Sequence, residues 1–329
     1  MVVRLVRPDA SRGAASPAGN RGTVRLTCSF VNNMPDGAFD ATERQFLDLL
    51  AVGSGDDMIE VRRHAMNGIK RDPTIKKYIQ QNYLPLSGIR QAPPDVLIVT
   101  GSNPIEVDIV KERYWDELSE LLVWGSTMVS SMLLSCLAAH AALLVFDGIA
   151  RMRLDQKCSG VFSQSVDKAH PLGMGIGPRV LLPHSRINTS DTDRLRERGY
   201  SIVVESETVG WGVANKTIGE CEVIFMQAHP EYEPPSLLRE YRRDARRYVV
   251  RERVEKPVLP YHCVAGDDWD SLQELHRTLT PNEEGVKLLE DYPFEGASAR
   301  AAWPWRDMAQ QLYANWLASV GIEKGATDA

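Results

Sequence analysis

Ser126-Thr-Met-Val-Ser-Ser-Met-Leu-Leu-Ser-Cys136-Leu-Ala-Ala-His140-Ala-Ala-Leu143 runs from an apolar, strand-like segment directly into a helix-forming one, with a single cysteine at the joint. A helix start presents free backbone N–H groups and the positive end of the dipole, so a cysteine at that turn is favoured as thiolate and can serve as a nucleophile. A second apolar run, Val223-Ile-Phe-Met-Gln-Ala-His229-Pro-Glu231-Tyr232, ends on a histidine with a carboxylate two positions later. An extended backbone across that segment puts residues two apart on one side, where Glu231 can hold the imidazole of His229. The two stretches together read as a Cys-His-Glu constellation.

The rest of the chain alternates between strand and helix patterns around these two. A strand over 24–31 ends at Asn32-Asn-Met-Pro-Asp-Gly, a loop, and apolar residues at helical spacing follow over 41–51. Residues 58–64 form a second strand pattern; the polar stretch from there to Pro94 carries few signals. Pro94-Asp-Val-Leu-Ile-Val-Thr-Gly101 reads as a buried parallel strand ending in a glycine turn, and residues 114–124 as an amphipathic helix. Strands alternating with helices predict an α/β fold with a mostly parallel sheet flanked by helices, whose functional groups collect at the carboxyl ends of strands. Cys136, His229 and Thr100-Gly101 all fall at such ends.

With 329 residues, 43% of them hydrophobic, the chain can bury a sizeable core. Its 38 basic and 44 acidic residues leave a formal charge of −6, which argues against a nucleic-acid partner. Five widely spaced cysteines without a C-x-x-C pair suggest neither a zinc site nor a disulfide framework, and fit a reducing cytoplasm. No apolar run reaches membrane-spanning length and none resembles a signal peptide, so residues 1–22 are expected to be a disordered tail before a single domain over 23–329, with a C-terminal extension from about 257. His140 lies one helical turn after Cys136, the spacing of a Cys-His metal pair, but no further ligands gather nearby, so no metal is expected. Trp303, Trp305 and Trp316 read as packing of a C-terminal helix rather than as a base-stacking platform, because no basic stripe interleaves with them.

Eight short motifs in order, Asn33-Met-Pro35, Ile98-Val-Thr-Gly101, the elbow at Cys136, Lys157-Cys-Ser-Gly160-Val-Phe, Pro183-His-Ser-Arg186, His229-Pro-Glu-Tyr232, Glu240-Tyr-Arg-Arg-Asp244 and Asn315-Trp-Leu317, resemble the homoserine O-acyltransferases of the homoserine transsuccinylase type. That family is built on the class I glutamine amidotransferase-like (flavodoxin-like) fold. The resemblance implies transfer of an acyl group from acyl-CoA, as co-substrate rather than bound cofactor, to the hydroxyl of a small amino acid through a cysteine thioester. It makes Cys136 the nucleophile, His229 the general base and Glu231 the residue that orients it. It also places Lys157 at the acyl site, facing a succinyl carboxylate or the developing oxyanion; Ser185 at a substrate-contact position; and Arg243 on the amino-acid carboxylate. The backbone N–H of Leu137 becomes an oxyanion donor.

Departures accompany the matches. Leu137 and His140 stand where the family commonly has tryptophan and glutamine, the loop Ser102-Asn-Pro-Ile-Glu106 is shifted by a residue, and the charged segment around 264–291, including Gly266-Asp-Asp-Trp-Asp270, is longer than usual. The leading expectation is succinyl transfer to L-homoserine in methionine or related sulfur-amino-acid biosynthesis, by a homodimer without nucleic-acid or membrane partners. Acetyl-CoA as donor, L-serine as acceptor, a glutaminase-like hydrolase on the same scaffold and a non-catalytic metabolite-binding relic remain as alternatives.

Overall fold

The structure is a computed structural model that describes residues 2–8, 24–55 and 57–321. Its strands are β1 (Val2–Val6), β2 (Val24–Val31), β3 (Met58–His64), β4 (Val96–Val99), β5 (Ser131–Ser135), β6 (Met152–Val166), β7 (Arg179–Thr189), β8 (Ser201–Ser206), β9 (Gly210–Ile218) and β10 (Cys221–Met226). The helices are α1 (Asp36–Gly53), α2 (Pro73–Asn82), α3 (Gly88–Gln91), α4 (Trp115–Met128), α5 (Leu137–Asp147), α6 (Thr192–Glu197), α7 (Pro235–Val249), α8 (Asp267–Thr278), α9 (Glu283–Asp291), α10 (Phe294–Arg300) and α11 (Arg306–Ser319). All ten strands lie in one sheet, in the order β1-β3-β2-β4-β5-β10-β9-β8-β6-β7. The six from β1 to β10 run parallel, and every pairing beyond β10 is antiparallel.

The parallel strands read as continuous apolar runs because both faces are covered. Ile98, Leu133 and Ile224 enter one core cluster, with α1, α7 and the C-terminal helices. Their neighbours Leu97, Val99, Met132, Leu134, Val223 and Phe225 enter the other, with α4 and α5. This period-two alternation fixes the register, since a one-residue slip would exchange the two faces.

Three expectations are corrected here. Residues 2–6, assigned to a disordered tail, form β1, whose apolar Val-Val-x-Leu-Val pattern pairs in parallel with β3; residues 9–22 of that tail lie outside the described residues. Ser126–Met128, read as the start of the cysteine strand, instead close α4, and the strand is only Ser131–Ser135. The quiet stretch before Pro94 contains α2, started by Asp72, whose carboxylate accepts from the Ile75 N–H, with Pro73 in the first turn.

The C-terminal helices return to the sheet. Trp305 and Trp316 are buried, and their indole N–H groups donate to the Tyr232 carbonyl at 2.6 Å and the Ser131 hydroxyl at 2.9 Å, while Trp303 stays partly exposed. The extension therefore buttresses both the strand that leads to Cys136 and the turn that carries His229. Gly160 marks where the chain entering this extension crosses β6. A Cβ there would lie 2.5 Å from the Tyr261 carbonyl oxygen, and Gly160 φ is +144°, so the glycine of Lys157-x-Ser-Gly160 is demanded by backbone crossing.

Candidate active site

β4, β5 and β10 are adjacent in the sheet, and the residues just past their carboxyl ends converge. Ser135 is in register with Met226, and the Cys136 N–H donates to the Met226 carbonyl at 2.7 Å, so the joint is pinned to the neighbouring strand before α5 begins. Cys136 has φ 49° and ψ −107°, an unfavourable backbone for a non-glycine residue and the geometry of a nucleophile elbow, with the side chain set at the strand-to-helix corner. Gly101, after β4, lies against it: a Cβ at 101 would come 3.2 Å from the Cys136 Cβ and 3.5 Å from the Leu137 nitrogen. Gly101 has no positive φ, so an alanine is compatible with its backbone and only the crowding of the thiol is added. Gly101→Ala should keep the fold by circular dichroism and slow acylation of Cys136 by about tenfold or more, as a small misplacement of reacting atoms does; unchanged acylation would show that this approach is not part of the site.

His229 and Glu231 meet as anticipated, but not on extended backbone. The Tyr232 N–H closes a turn onto the His229 carbonyl at 3.1 Å with Pro230 at its second position, and the turn itself brings His229 Nδ1 within 2.8 Å of Glu231 Oε1. The imidazole is buried and stacks on Tyr232 with centroids 4.3 Å apart. Its Nε2 faces inward without a nitrogen or oxygen partner, beside the Cys136 thiol. Burial opposes the imidazolium, but the Glu231 carboxylate and the Cys136 thiol outweigh it and hold the His229 pKa well above the ordinary histidine value. Burial raises the thiols of Cys28 and Cys158, and those of Cys221 and Cys263 to about 12, so these four are poor nucleophiles.

Lys157 on β6, Ser185 on β7 and Arg243 on α7 line the same cleft as Cys136 and His229. Lys157 is held by two carboxylates, Glu240 at 3.1 Å and Asp244 at 3.3 Å. Ser185 also donates to Glu240, whose second oxygen accepts from the Tyr232 hydroxyl at 2.6 Å. Arg243 sets two N–H donors on Asp244 Oδ1, at 3.0 and 2.8 Å. Burial works against the Glu240 carboxylate, but Lys157, the Ser185 and Tyr232 hydroxyls and Arg243 bring its pKa down to about 2. Glu240 is the hub that sequence reasoning missed. Its spacing from Asp244, one helical turn, was a readable sign of paired carboxylates on one face of α7, but the partner Lys157 lies 83 residues away. Arg151, Arg186 and His140 also line the cleft. Among the described residues no group of three potential metal ligands is present, and no helix is long and apolar enough to cross a membrane.

A parallel sheet with a cysteine elbow and a histidine-carboxylate pair on the next strand defines the class I glutamine amidotransferase-like fold. A glutamine amidotransferase from Methylobacillus flagellatus shares it, with a TM-score of 0.51 at 13% identity over 93% of this chain and 100% of that one. The family model for homoserine O-succinyltransferase matches residues 11–324. The homoserine O-succinyltransferase of Rhodopseudomonas palustris is 35% identical over 308 residues, 94% of this chain and 92% of that protein, and that of Bradyrhizobium japonicum is 38% identical over 310 residues, 92% and 94%. The chain belongs to the homoserine O-succinyltransferase family and is an acyltransferase.

Proposed function

We propose that the protein transfers a succinyl group from succinyl-CoA to the hydroxyl of L-homoserine by a ping-pong route through a Cys136 thioester, in methionine or related sulfur-amino-acid biosynthesis. The observation that carries this reading is the Cys136 elbow beside His229 with Glu231 at 2.8 Å behind it, opening on a cleft lined by paired charges. The Cys136 thiolate forms the bond to the thioester carbonyl carbon, the carbon–sulfur bond to CoA breaks, and the proton of the His229 imidazolium goes to the departing CoA thiolate. The N–H of Leu137, first residue of α5, receives the negative oxygen that forms in between. His229, now neutral, takes the proton of the acceptor hydroxyl as that oxygen attacks the acyl-enzyme. The ester leaves, and the thiolate–imidazolium pair is restored. Glu231 fixes the imidazole tautomer and stabilises its charged form.

Arg243 is the residue suited to the acceptor carboxylate, because a guanidinium offers a planar fork of donors and half of it already sits on Asp244. Ser185 and Lys157, braced through Glu240, complete the wall on that side. Arg243→Lys keeps the charge but not the fork, so the KM for homoserine should rise by about tenfold or more while acylation of the enzyme by succinyl-CoA in the absence of acceptor stays near wild type. A loss confined to acylation would remove Arg243 from the acceptor site. The reading as a whole is tested by intact mass: succinyl-CoA alone should add one succinyl group, and homoserine should then discharge it as the O-ester. A mass gain discharged only by water would mark a hydrolase.

A further inference from the structure

Among the cationic residues that line the cleft with Cys136, two pairs differ in what they meet. In the first, each cation has a carboxylate: Lys157 has Glu240 and Asp244, and Arg243 has Asp244. Arg151 and Arg186 have no carboxylate within 4.0 Å among the described residues. Arg186 is buried, and its donors go to the Asn188 and Val209 carbonyls and to His184 Nδ1, all neutral acceptors. Arg151 donates to the Glu106 and Val107 carbonyls, and its Nε is buried without a partner; Glu112 and Asp108 act on it only through space, and the Glu112 carboxylate is spent on the N–H groups of Ile105 and Glu106. Both guanidiniums lie close enough to Cys136 to feel its charge.

His140 stands with them. It is 4% exposed, its Nδ1 is paired with the Ser190 hydroxyl at 3.0 Å, and its Nε2 is buried with no hydrogen-bond partner although the side chain lines the cleft. Burial, reinforced by Arg186 and Arg151, drops its pKa to about 3, so it is a neutral hydrogen-bonding group. A buried guanidinium without a carboxylate, a half-buried one whose Nε has no partner, and an unsatisfied ring nitrogen are costly unless an anion completes them. An anionic group carried into the cleft by a ligand would supply that partner.

Resting on the acyl-enzyme reading above, we infer that Arg151, Arg186 and the Nε2 of His140 form the subsite for the terminal carboxylate of a dicarboxylic acyl chain carried on Cys136. Donor selection therefore lies with these three residues, and Lys157, neutralised by Glu240 and Asp244, serves the acceptor instead. The ring of His140 supplies a donor at Nε2 when Nδ1 accepts from Ser190, which is the tautomer a carboxylate selects.

The test uses succinyl and butyryl thioesters of N-acetylcysteamine, which have the same chain length but differ in the terminal charge and carry no CoA phosphates. The full-length wild type should be acylated by the succinyl thioester at least about tenfold faster than by the butyryl one, the scale of a matched charge in a desolvated site. In Arg151→Gln and Arg186→Gln that ratio should fall by about tenfold, and in His140→Ala by a smaller factor; because it is taken within one variant, any general effect on the thiolate cancels. Free succinate should also protect wild-type Cys136 from iodoacetamide where butyrate does not, a readout that holds even if Arg186→Gln fails to fold. A wild-type ratio near one, or a ratio unmoved in the folded variants, overturns the subsite while leaving the acyl-enzyme standing. Arginine variants that slow acylation by succinyl-CoA and butyryl-CoA equally, with the N-acetylcysteamine thioesters unaffected, overturn it in favour of phosphate binding. No acyl mass from any donor would instead bring down the acyltransferase mechanism on which the inference rests.

Discussion

Cys136→Ala should take up no acyl mass from succinyl-CoA, whereas the wild type gains one succinyl group per chain. The expectation is all or none because the remaining thiols are unsuited to replace it. Cys28, Cys221 and Cys263 are buried and Cys158 half-buried, and in each the thiol form is favoured by loss of solvent. None of the four sits at the start of a helix. Iodoacetamide should accordingly modify Cys136 first, as peptide mapping of a partly alkylated sample would show. Acyl mass that persists in Cys136→Ala and maps to another cysteine would remove Cys136 as nucleophile and leave the elbow as a structural corner.

The readable part of this protein was what neighbouring residues encode. An apolar run of strand length ending at Cys136, followed by Leu137-Ala-Ala-His-Ala-Ala-Leu143, states a strand, a corner and a helix without help from the rest of the chain. The run ending near His229 does the same, and the parallel sheet brings the two ends together because β5 and β10 pair directly. Pairings over long separations were not legible. The carboxylates that meet Lys157 lie 83 and 87 residues away, at Glu240 and Asp244, and only the placement of α7 brings them to it. Ser190, the partner of His140, is 50 residues distant, and no periodicity announces it. The strand β1 was hidden for another reason: five residues rich in valine have little weight by themselves, and the Arg- and Gly-containing segment after them breaks the pattern, so only the waiting edge of β3 makes them a strand. The extended geometry expected across His229-Pro-Glu231 failed because Pro230 fits the second position of a turn, yet the turn gave the same neighbours.

His229→Ala should collapse both acylation and transfer, and Glu231→Gln should cost on the order of a hundredfold or more in turnover while leaving the fold intact, since glutamine keeps a hydrogen-bond acceptor at the same place but not the charge that stabilises the imidazolium. The pH dependence separates this from a merely structural loss. With Glu231 ionised, burial is overcome and His229 stays protonated above the ordinary histidine range, so the imidazolium that must deliver a proton to the departing CoA thiolate is available through neutral pH. Without that carboxylate the first effect, burial, prevails, and the proton is lost at lower pH. The alkaline limb of the acylation rate should therefore move to lower pH in Glu231→Gln, and the deficit relative to wild type should shrink as the solution is acidified. A uniform loss at every pH would mean that Glu231 only holds the turn, as Tyr232, Trp305 and Pro230 do. Unchanged rates would mean that the 2.8 Å contact to His229 Nδ1 plays no part in the reaction.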